Sequence, residues 1–396
     1  MAEEEQIPIV DLAGIDGVRR AEIIDEVRRA SEKWGFYQVI NHGIPINILE
    51  EMMEGVRSFN EAKETGVEAK KYDCHNSSKV QFQTDLNIDG AYPNWRNSLV
   101  VEMAPEPPSP EEVPAACREI LFDYVKQATK LGEDLYGIIS EALCLEPGYF
   151  KERACMNGLR VISHYYPPCP QPDLTFGTNK HTDPCFLTIL LQDQVGGLQL
   201  LHQDRWISIQ PVHGALVINN GDLLQLMSND TLISLPHRVL ANKTQQRVSV
   251  ACFFSAYRSK RSFGPIKELI TEEKPAIYRD TMADEYFIHY LTRSDFSTAL
   301  EHFKKENRDW IGQLNRVQPC HVKREIADDP GQEGNWQRDT IISSDKLRVW
   351  SSFCRGFNIC SGRGSIGGTQ SSIEESYMTL TPRNRTELEL LWKKVS

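Results

Sequence analysis

A chain of 396 residues, 40% of them hydrophobic, is long enough for one large domain or two ordinary domains with a sizeable core. Its formal net charge of -11 argues against nucleic acid or an anionic membrane surface as a partner. The acidic segment 1–6 lacks the features of a secretory signal, and no run of about 18 apolar residues is present, so we expect a cytoplasmic protein.

The first 110 residues combine strand and helix patterns. The run IPIVDL at 7–12 predicts a short strand, and apolar residues on one face predict a helix from about 18 to 34. The β-rich run FYQVI at 36–40 predicts a second strand. Scattered Asn, Gly and Pro make the stretch 63–110 look irregular. We interpret residues 1–110 as an N-terminal region of helix and strand.

Residues 111–305 show a different organisation. A long apolar stripe predicts a helix from about 114 to 143. Between 160 and 255, short β-rich runs alternate with turn signals, which is typical of a sandwich or barrel. A last helix is expected over 282–305. This region is therefore predicted to be a mainly β core with flanking α-helices.

The C-terminal segment 306–396 has another composition, rich in Ser, Gly, Arg and Glu and without sustained periodicity. Such a segment buries little apolar surface, so we interpret it as a loosely ordered tail. The run SGRGSIGG at 361–368 contains G-x-G-x-x-G, but no strand–helix context surrounds it. Nucleotide binding is therefore not expected there.

A candidate metal site begins with His181-Thr182-Asp183, at the mouth of a predicted strand. Residues i and i+2 of an extended segment point to the same face, so the imidazole and the carboxylate can reach one ion. His237, 54 residues after Asp183, precedes another predicted strand. Two His and one carboxylate form the facial triad that suits iron(II) and leaves three positions open. Zinc also accepts this ligand set, and a solvated loop histidine is the alternative for His237.

A candidate carboxylate site lies in the predicted strand RVSV. Arg247 and Ser249 share one face of this strand, and Val248 and Val250 take the other. An arginine in an apolar strand is unfavourable unless a carboxylate pairs with it, and no acidic residue is adjacent. Its planar fork suits a dicarboxylate whose other end chelates the metal. The alternative is an arginine at the barrel mouth bonded to a backbone carbonyl or a distant Glu.

Several motifs together resemble the plant 2-oxoglutarate and iron(II)-dependent dioxygenase superfamily. These motifs are H-T-D at 181–183, H-R-V-L-A-N at 237–242, R-V-S at 247–249, WGFYQVINHGIP at 34–45 and YYPPCPQPDL at 165–174. The resemblance covers about residues 5 to 305. The sequence looks most like the branch called 1-aminocyclopropane-1-carboxylate oxidase homologues, which includes hydroxylases of plant specialised metabolites.

The resemblance implies a fold and a set of site residues. The fold is a double-stranded β-helix, or jelly roll, with a cupin-like core and flanking helices. The implied site residues are His181, Asp183 and His237 for iron(II), and Arg247, Ser249 and Tyr166 for 2-oxoglutarate. A buried core aromatic is the alternative for Tyr166. Many relatives carry Asn where this chain has His164.

The implied reaction uses O2, with ascorbate as reductant, to hydroxylate or desaturate a small plant specialised metabolite. Succinate and CO2 are the expected co-products, Phe186 is expected to contact the substrate, and the protein is expected to be a monomer. Three alternatives stay open. They are an ascorbate-dependent ethylene-forming oxidase that takes no 2-oxoglutarate, a catalytically silent binding protein on the same fold, and a zinc hydrolase.

Overall fold

The structure, a computed structural model, describes residues 6–62, 72, 79–86, 94–256, 259–292 and 298–305. Its β-strands are β1 Ile9–Asp11, β2 Phe36–Ile40, β3 Val80–Leu86, β4 Trp95–Ala104, β5 Gly158–Tyr166, β6 Phe176–His181, β7 Leu187–Gln192, β8 Leu198–His202, β9 Arg205–Ser208, β10 Leu216–Asn220, β11 His237–Leu240, β12 Arg247–Ser255, β13 Ser262–Phe263 and β14 Thr281–Met282. The predicted tail and its glycine-rich run lie outside the described residues.

The α-helices flank these strands. They are α1 Arg20–Lys33, α2 Ile46–Glu61, α3 Arg118–Ala142, α4 Tyr149–Glu152, α5 Asp222–Met227 and α6 Ala283–Thr292. Short 3₁₀ turns cover Pro110–Glu112, Pro172–Leu174, Lys267–Leu269 and Ala299–Phe303. In the described part of the chain, no helix is both long and apolar enough to cross a membrane.

Two sheets form the β core, as predicted for a jelly roll. The larger sheet has the strand order β1-β2-β10-β7-β12-β5-β4-β3, and the smaller has the order β6-β11-β8-β9. All pairs are antiparallel except β1 with β2. Non-consecutive neighbours, such as β7 between β10 and β12, bring together residues that are far apart in sequence. This is how the candidate site acquires members from many segments.

The two faces of the larger sheet pack against different parts of the molecule. One face packs against α2 and α3, where Val248 and Val250 of β12 are completely buried in the main apolar core. The apolar stripe predicted for α3 is buried there at Leu121, Val125, Ala128, Leu131, Leu135 and Ile138, and Ala142 at the helix end is half-buried. Burial of each large aliphatic side chain contributes about 1.5–3 kcal/mol, so this face holds the helices in place. The other face points toward the smaller sheet.

The stretch predicted to be irregular contains two strands, β3 and β4, so that prediction was wrong. Buried and half-buried residues alternate through the second half of β4, with Leu99, Val101 and Met103 turned inward. This is the period of a half-buried strand. The signal was diluted by the loop residues on either side. Strand β4 pairs with β5 and thus adjoins the candidate site.

Two helix predictions also need correction. The sequence analysis predicts no helix where α2 lies, because Pro45 resembles the start of a turn. Pro45 in fact stands at the N-cap, where its missing N–H breaks no intrahelical hydrogen bond, and Leu49, Met52 and Val56 form the buried face that follows. The predicted helix 282–305 ends at Thr292, and the later Ala299–Phe303 turn starts afresh with the Thr298 side chain accepting from the Leu300 N–H.

Candidate active site

Three candidate metal ligands converge at one end of the smaller sheet. His181 ends β6 and His237 begins β11, and the two residues are direct partners in the antiparallel register. Their rings lie 4.2 Å apart between centroids. Oδ1 of Asp183 is 3.7 Å from Nε2 of His181 and 3.5 Å from Nε2 of His237. The structure thus brings together all three residues that the sequence predicts as ligands.

Both imidazoles are held in the tautomer that a metal requires. Nδ1 of His181 lies 2.8 Å from the Asn179 carbonyl, and Nδ1 of His237 lies 3.2 Å from the Leu235 carbonyl. A carbonyl oxygen only accepts, so each Nδ1 is the donor and each Nε2 keeps its lone pair. Burial, followed by the charge of His237, lowers the pKa of His181 and favours the neutral ring. The two Nε2 atoms are therefore free to bind a cation.

The two carboxylate oxygens of Asp183 have different neighbours. Its Oδ2 accepts hydrogen bonds from Thr188 Oγ1 at 2.6 Å and from Asn219 Nδ2 at 2.8 Å, which leaves Oδ1 facing the imidazoles. Burial raises the pKa of Asp183, but the two imidazoles and these two hydrogen bonds outweigh it and hold the pKa below its usual range. The group is thus ionised and oriented before any metal arrives.

The ligand set fits a first-row divalent ion with open positions. Two neutral imidazoles and one carboxylate are the donors of the facial triad, which leaves room for further ligands. The side chains of Asp183 and His237 are 3% and 10% exposed, whereas that of His181 is 28% exposed. Access to the centre is therefore from the His181 side, and His237 is shielded by the edge of the Phe36 ring.

The backbone between two of the ligands is tied to the C-terminal part of the described chain. The hydroxyl of Thr182 donates to Oδ2 of Asp222 at 2.8 Å, and the Tyr286 hydroxyl donates to the same oxygen at 2.7 Å. The Tyr290 hydroxyl donates to the Thr182 carbonyl at 2.8 Å. Burial raises the pKa of Asp222 to about 6. Sequence reasoning missed this tether, because nothing in the run N-N-G-D at 219–222 indicates which segment it packs against.

A glycine allows this tether to form. The amide of Asp222 donates to the Asp183 carbonyl at 2.8 Å, so the turn before α5 lies directly on the ligand segment. A Cβ on Gly221 would stand only 2.1 Å from the Cys185 carbonyl oxygen. No side chain fits at that distance, and glycine is required for the close approach.

Arg247 lies on β12, on the face that points toward the smaller sheet. It is 2% exposed, with Nη1 donating to Ser249 Oγ at 2.9 Å and Nη2 donating to Gln192 Oε1 at 3.0 Å. Its Nε and the Nε2 of Gln192 are buried and have no acceptor. Within the described residues it contacts neither a backbone carbonyl nor a Glu, which removes the alternative interpretation. Unpaired buried donors on a full positive charge fit a carboxylate guest.

Tyr166 lies beside Arg247 in the register of β5 and β12, and the Arg247 guanidinium carbon is 5.1 Å from the tyrosine ring centre. Its hydroxyl is 3.1 Å from Thr178 Oγ1. The ring passes so close to β6 that a Cβ on Gly177 would be 2.8 Å from it. The tyrosine is thus both a core aromatic and a neighbour of the arginine.

Two further residues complete the comparison with the sequence. His164 shares this face, and its Nδ1 lies 2.9 Å from Ser98 Oγ. Phe186 was expected to contact substrate, but it is completely buried in the main core with its ring against Phe263. A ring with no exposed surface has little to offer a substrate, so the burial of Phe186 speaks against that expectation.

The fold and the site together define a class of protein, the jelly-roll non-haem metal oxygenases with a two-histidine, one-carboxylate centre. Comparison with known families agrees. Residues 157–256 match the 2OG-Fe(II) oxygenase superfamily, and residues 7–122 match the N-terminal region of non-haem dioxygenases in morphine synthesis. The chain belongs to the 2OG-Fe(II) oxygenase superfamily.

Individual relatives cover most of the chain. It is 48% identical over 298 residues to 1-aminocyclopropane-1-carboxylate oxidase homolog 1 of Arabidopsis thaliana, covering 74% of this chain and 81% of the relative. Homolog 6 of the same plant is 48% identical over 306 residues, covering 75% and 84%. The branch predicted from the motifs is therefore confirmed.

Solved structures show the same fold. JOX2 in complex with 2OG, Fe and JA has a TM-score of 0.66 and 29% identity, covering 76% of this chain and 90% of that one. The rice dioxygenase for auxin oxidation has a TM-score of 0.65 and 25% identity, covering 76% and 100%. Family and neighbours support Fe(II) and 2-oxoglutarate as the groups that this site receives.

Proposed function

We propose that this protein is an Fe(II)- and 2-oxoglutarate-dependent oxygenase that hydroxylates or desaturates a small plant specialised metabolite. Hydroxylation would place one atom of O2 in the substrate and the other in succinate, with release of CO2. The proposal rests on two features that lie on the same side of the sheet. They are the metal triad and the buried Arg247, whose Nε has no hydrogen-bond partner among the described residues. Ascorbate would keep the metal reduced.

Each residue has a role that follows from its contacts. His181, Asp183 and His237 would hold Fe(II), and Arg247 with Ser249 would hold the distal carboxylate of 2-oxoglutarate, next to Tyr166. When bound, the two groups supply the oxidative chemistry of O2 activation. The protein positions them, and burial at Arg247 and Asp183 keeps water from competing for the charged hydrogen bonds.

Succinate formation tests the proposal. Anaerobically purified, Fe(II)-loaded protein is given 2-oxoglutarate, ascorbate and O2, without an added substrate, and slow uncoupled succinate formation is expected. Arg247→Ala should raise the 2-oxoglutarate concentration for half-maximal rate about tenfold or more, because a hydrogen-bonded charge partner is lost. Arg247→Lys keeps the positive charge but loses the planar guanidinium, so its 2-oxoglutarate concentration for half-maximal rate should lie between those of the wild type and Arg247→Ala.

The outcomes separate this proposal from its alternatives. Ascorbate-dependent turnover without succinate would indicate the ethylene-forming type of oxidase. Metal binding without any turnover would indicate a silent binding protein. An unchanged 2-oxoglutarate requirement in Arg247→Ala would refute the role given to Arg247.

A further inference from the structure

A second arginine lies on the same face of the larger sheet as the candidate co-substrate residues. In the register of β4 and β5, Ser98 is the direct partner of His164, and the two side chains are hydrogen-bonded. Arg96, two residues before Ser98 on β4, has the same orientation because side chains alternate along a strand. Arg96 and Arg247 therefore flank the central strand β5 from opposite sides.

The guanidinium of Arg96 reaches from the larger sheet to the smaller one. Its Nη1 donates to Thr178 Oγ1 at 2.6 Å, the hydroxyl that also contacts Tyr166. Thr178 is on β6, three residues before the metal ligand His181, the most exposed of the three ligands. After burial, the charge of Arg96 is the largest cause of the lowered pKa of His164. Arg96 thus borders the side from which the metal is reached.

Arg96 has no ionic partner within the described part of the chain. The nearest acid in the sheet register is Asp85 on β3, directly opposite Arg96, but its Oδ2 accepts from Asn94 Nδ2 at 2.7 Å and the two charges form no ion pair. A half-buried guanidinium with one bond to a neutral hydroxyl retains most of its donors. Such a group is a ready partner for an anion.

One positive charge remains when only the metal, the co-substrate, Asp183, Arg247 and Arg96 are counted. The two positive charges of Fe(II) are offset by the two carboxylates of 2-oxoglutarate, and Asp183 offsets one arginine. A substrate with one negative charge would compensate the remaining guanidinium, whereas a neutral substrate would leave it partly desolvated at a thermodynamic cost.

We propose that the molecule oxidised at this centre is a carboxylic acid whose carboxylate is bound by Arg96. This inference rests on the proposed function and specifies its substrate class. The carboxylate would accept a bidentate pair of hydrogen bonds at the β4–β6 boundary, and the carbon to be oxidised would lie between Arg96 and the triad.

Calorimetric titration under turnover-free conditions tests the substrate class. Protein loaded with Mn(II) in place of Fe(II), and saturated with 2-oxoglutarate, is titrated with phenylacetate, 3-phenylpropionate, indole-3-acetate and octanoate. Each acid is compared with its primary amide, which has the same shape without the charge. At least one acid should bind about 10- to 100-fold more tightly than its amide, the range for a hydrogen bond to a charged group. Arg96→Gln should remove that preference and Arg96→Lys should retain part of it.

A matched control is Arg160→Gln. Arg160 lies on β5 in the same sheet but is paired with Glu102, so this change should lower the melting temperature and leave the acid preference intact. Arg96→Gln should lower the melting temperature less than Arg160→Gln does, since it removes one hydrogen bond to a neutral hydroxyl and no ion pair.

Several results would overturn the proposal. One is that no acid of the panel binds the wild type better than its amide. Another is a loss of stability in Arg96→Gln without loss of acid preference, which would indicate a structural pairing with Asp85. A third is a raised 2-oxoglutarate requirement in Arg96→Gln, which would place Arg96 in the co-substrate site. Succinate formation by the wild type is scored separately, so absence of succinate would count against the proposed function and not against acid binding.

Discussion

At Asp183, the two carboxylate oxygens have different partners, and this division explains why a short motif can serve as a metal ligand. Oδ2 is occupied by Thr188 and Asn219, and Oδ1 is directed at the imidazoles. A carboxylate held in this way is a better ligand than a freely rotating one, because the hydrogen bonds fix its orientation and favour its charged form.

Replacement of Thr188 tests this reasoning. Thr188→Val keeps the shape of the side chain but removes the hydroxyl. We therefore expect the Mn(II) affinity to fall about 10- to 100-fold, the usual range for a residue that orients a metal ligand. The pKa of Asp183 should rise, and the metal should be lost at a higher pH on acidification. Calorimetric Mn(II) titration at several pH values measures both effects.

Thr188→Ser provides the control for this prediction, since it retains the hydroxyl and should retain most of the affinity. Equal Mn(II) affinity in Thr188→Val and the wild type would show that Asp183 needs no support from β7.

Among the secondary-structure elements, helix α6 has a role that its modest length does not suggest. Two of its tyrosines bond the segment between the ligands, Tyr286 through Asp222 and Tyr290 through the Thr182 carbonyl. The helix thus links the metal centre to the last described part of the chain. A substitution in α6 should therefore weaken metal binding, even though the helix supplies no ligand.

Removing these hydroxyl groups tests the link. Tyr286→Phe should destabilise the protein by about 1.5–3 kcal/mol, because a buried carboxylate loses a hydrogen-bond donor. Tyr290→Phe should lower the stability less but weaken Mn(II) binding, since the Thr182 carbonyl is no longer fixed. Thermal melts and calorimetric titration of each variant separate the two effects.

Tyr149→Phe is the matched control, because that hydroxyl bonds Glu268 away from the centre. If Tyr290→Phe bound Mn(II) as well as Tyr149→Phe does, α6 would be a packing element only.

At the scale of the whole chain, the described residues form two apolar clusters, and the members of these clusters lie between Ile7 and Phe303. The chain divides into a unit of residues 1–312 and a second unit of residues 313–396. The candidate site and both sheets belong to the first unit. A unit with an apolar core of its own is expected to fold independently.

Truncation after Gly312 tests this independence. The shortened protein should melt within about 2 °C of the full chain, the shift expected for well under 1 kcal/mol in a domain of this size. It should also bind Mn(II) with unchanged affinity. A markedly lower melting temperature would show that residues 313–396 stabilise the first unit. That the protein is a cytoplasmic monomer stays a prediction from the sequence.

Features that depend on short-range geometry could be predicted from the order of the amino acids alone. The alternation of side chains along a strand placed His181 with Asp183, and Arg247 with Ser249, and separated both from their core-facing neighbours. The motifs identified the family, and with it the jelly roll. These features are readable because residues two apart in a strand share a face whatever the rest of the chain does.

Which distant segments meet at the centre became evident only from the folded chain. Sheet register placed His237 opposite His181, and crossovers between strands brought Gln192 to Arg247. It also brought β4, from a stretch predicted to be irregular, beside β5, and so placed Arg96 at the site. The same long-range packing turned Phe186 into the core. Strand pairing depends on the summed packing of many residues. No local sequence pattern therefore predicts which strands will be neighbours.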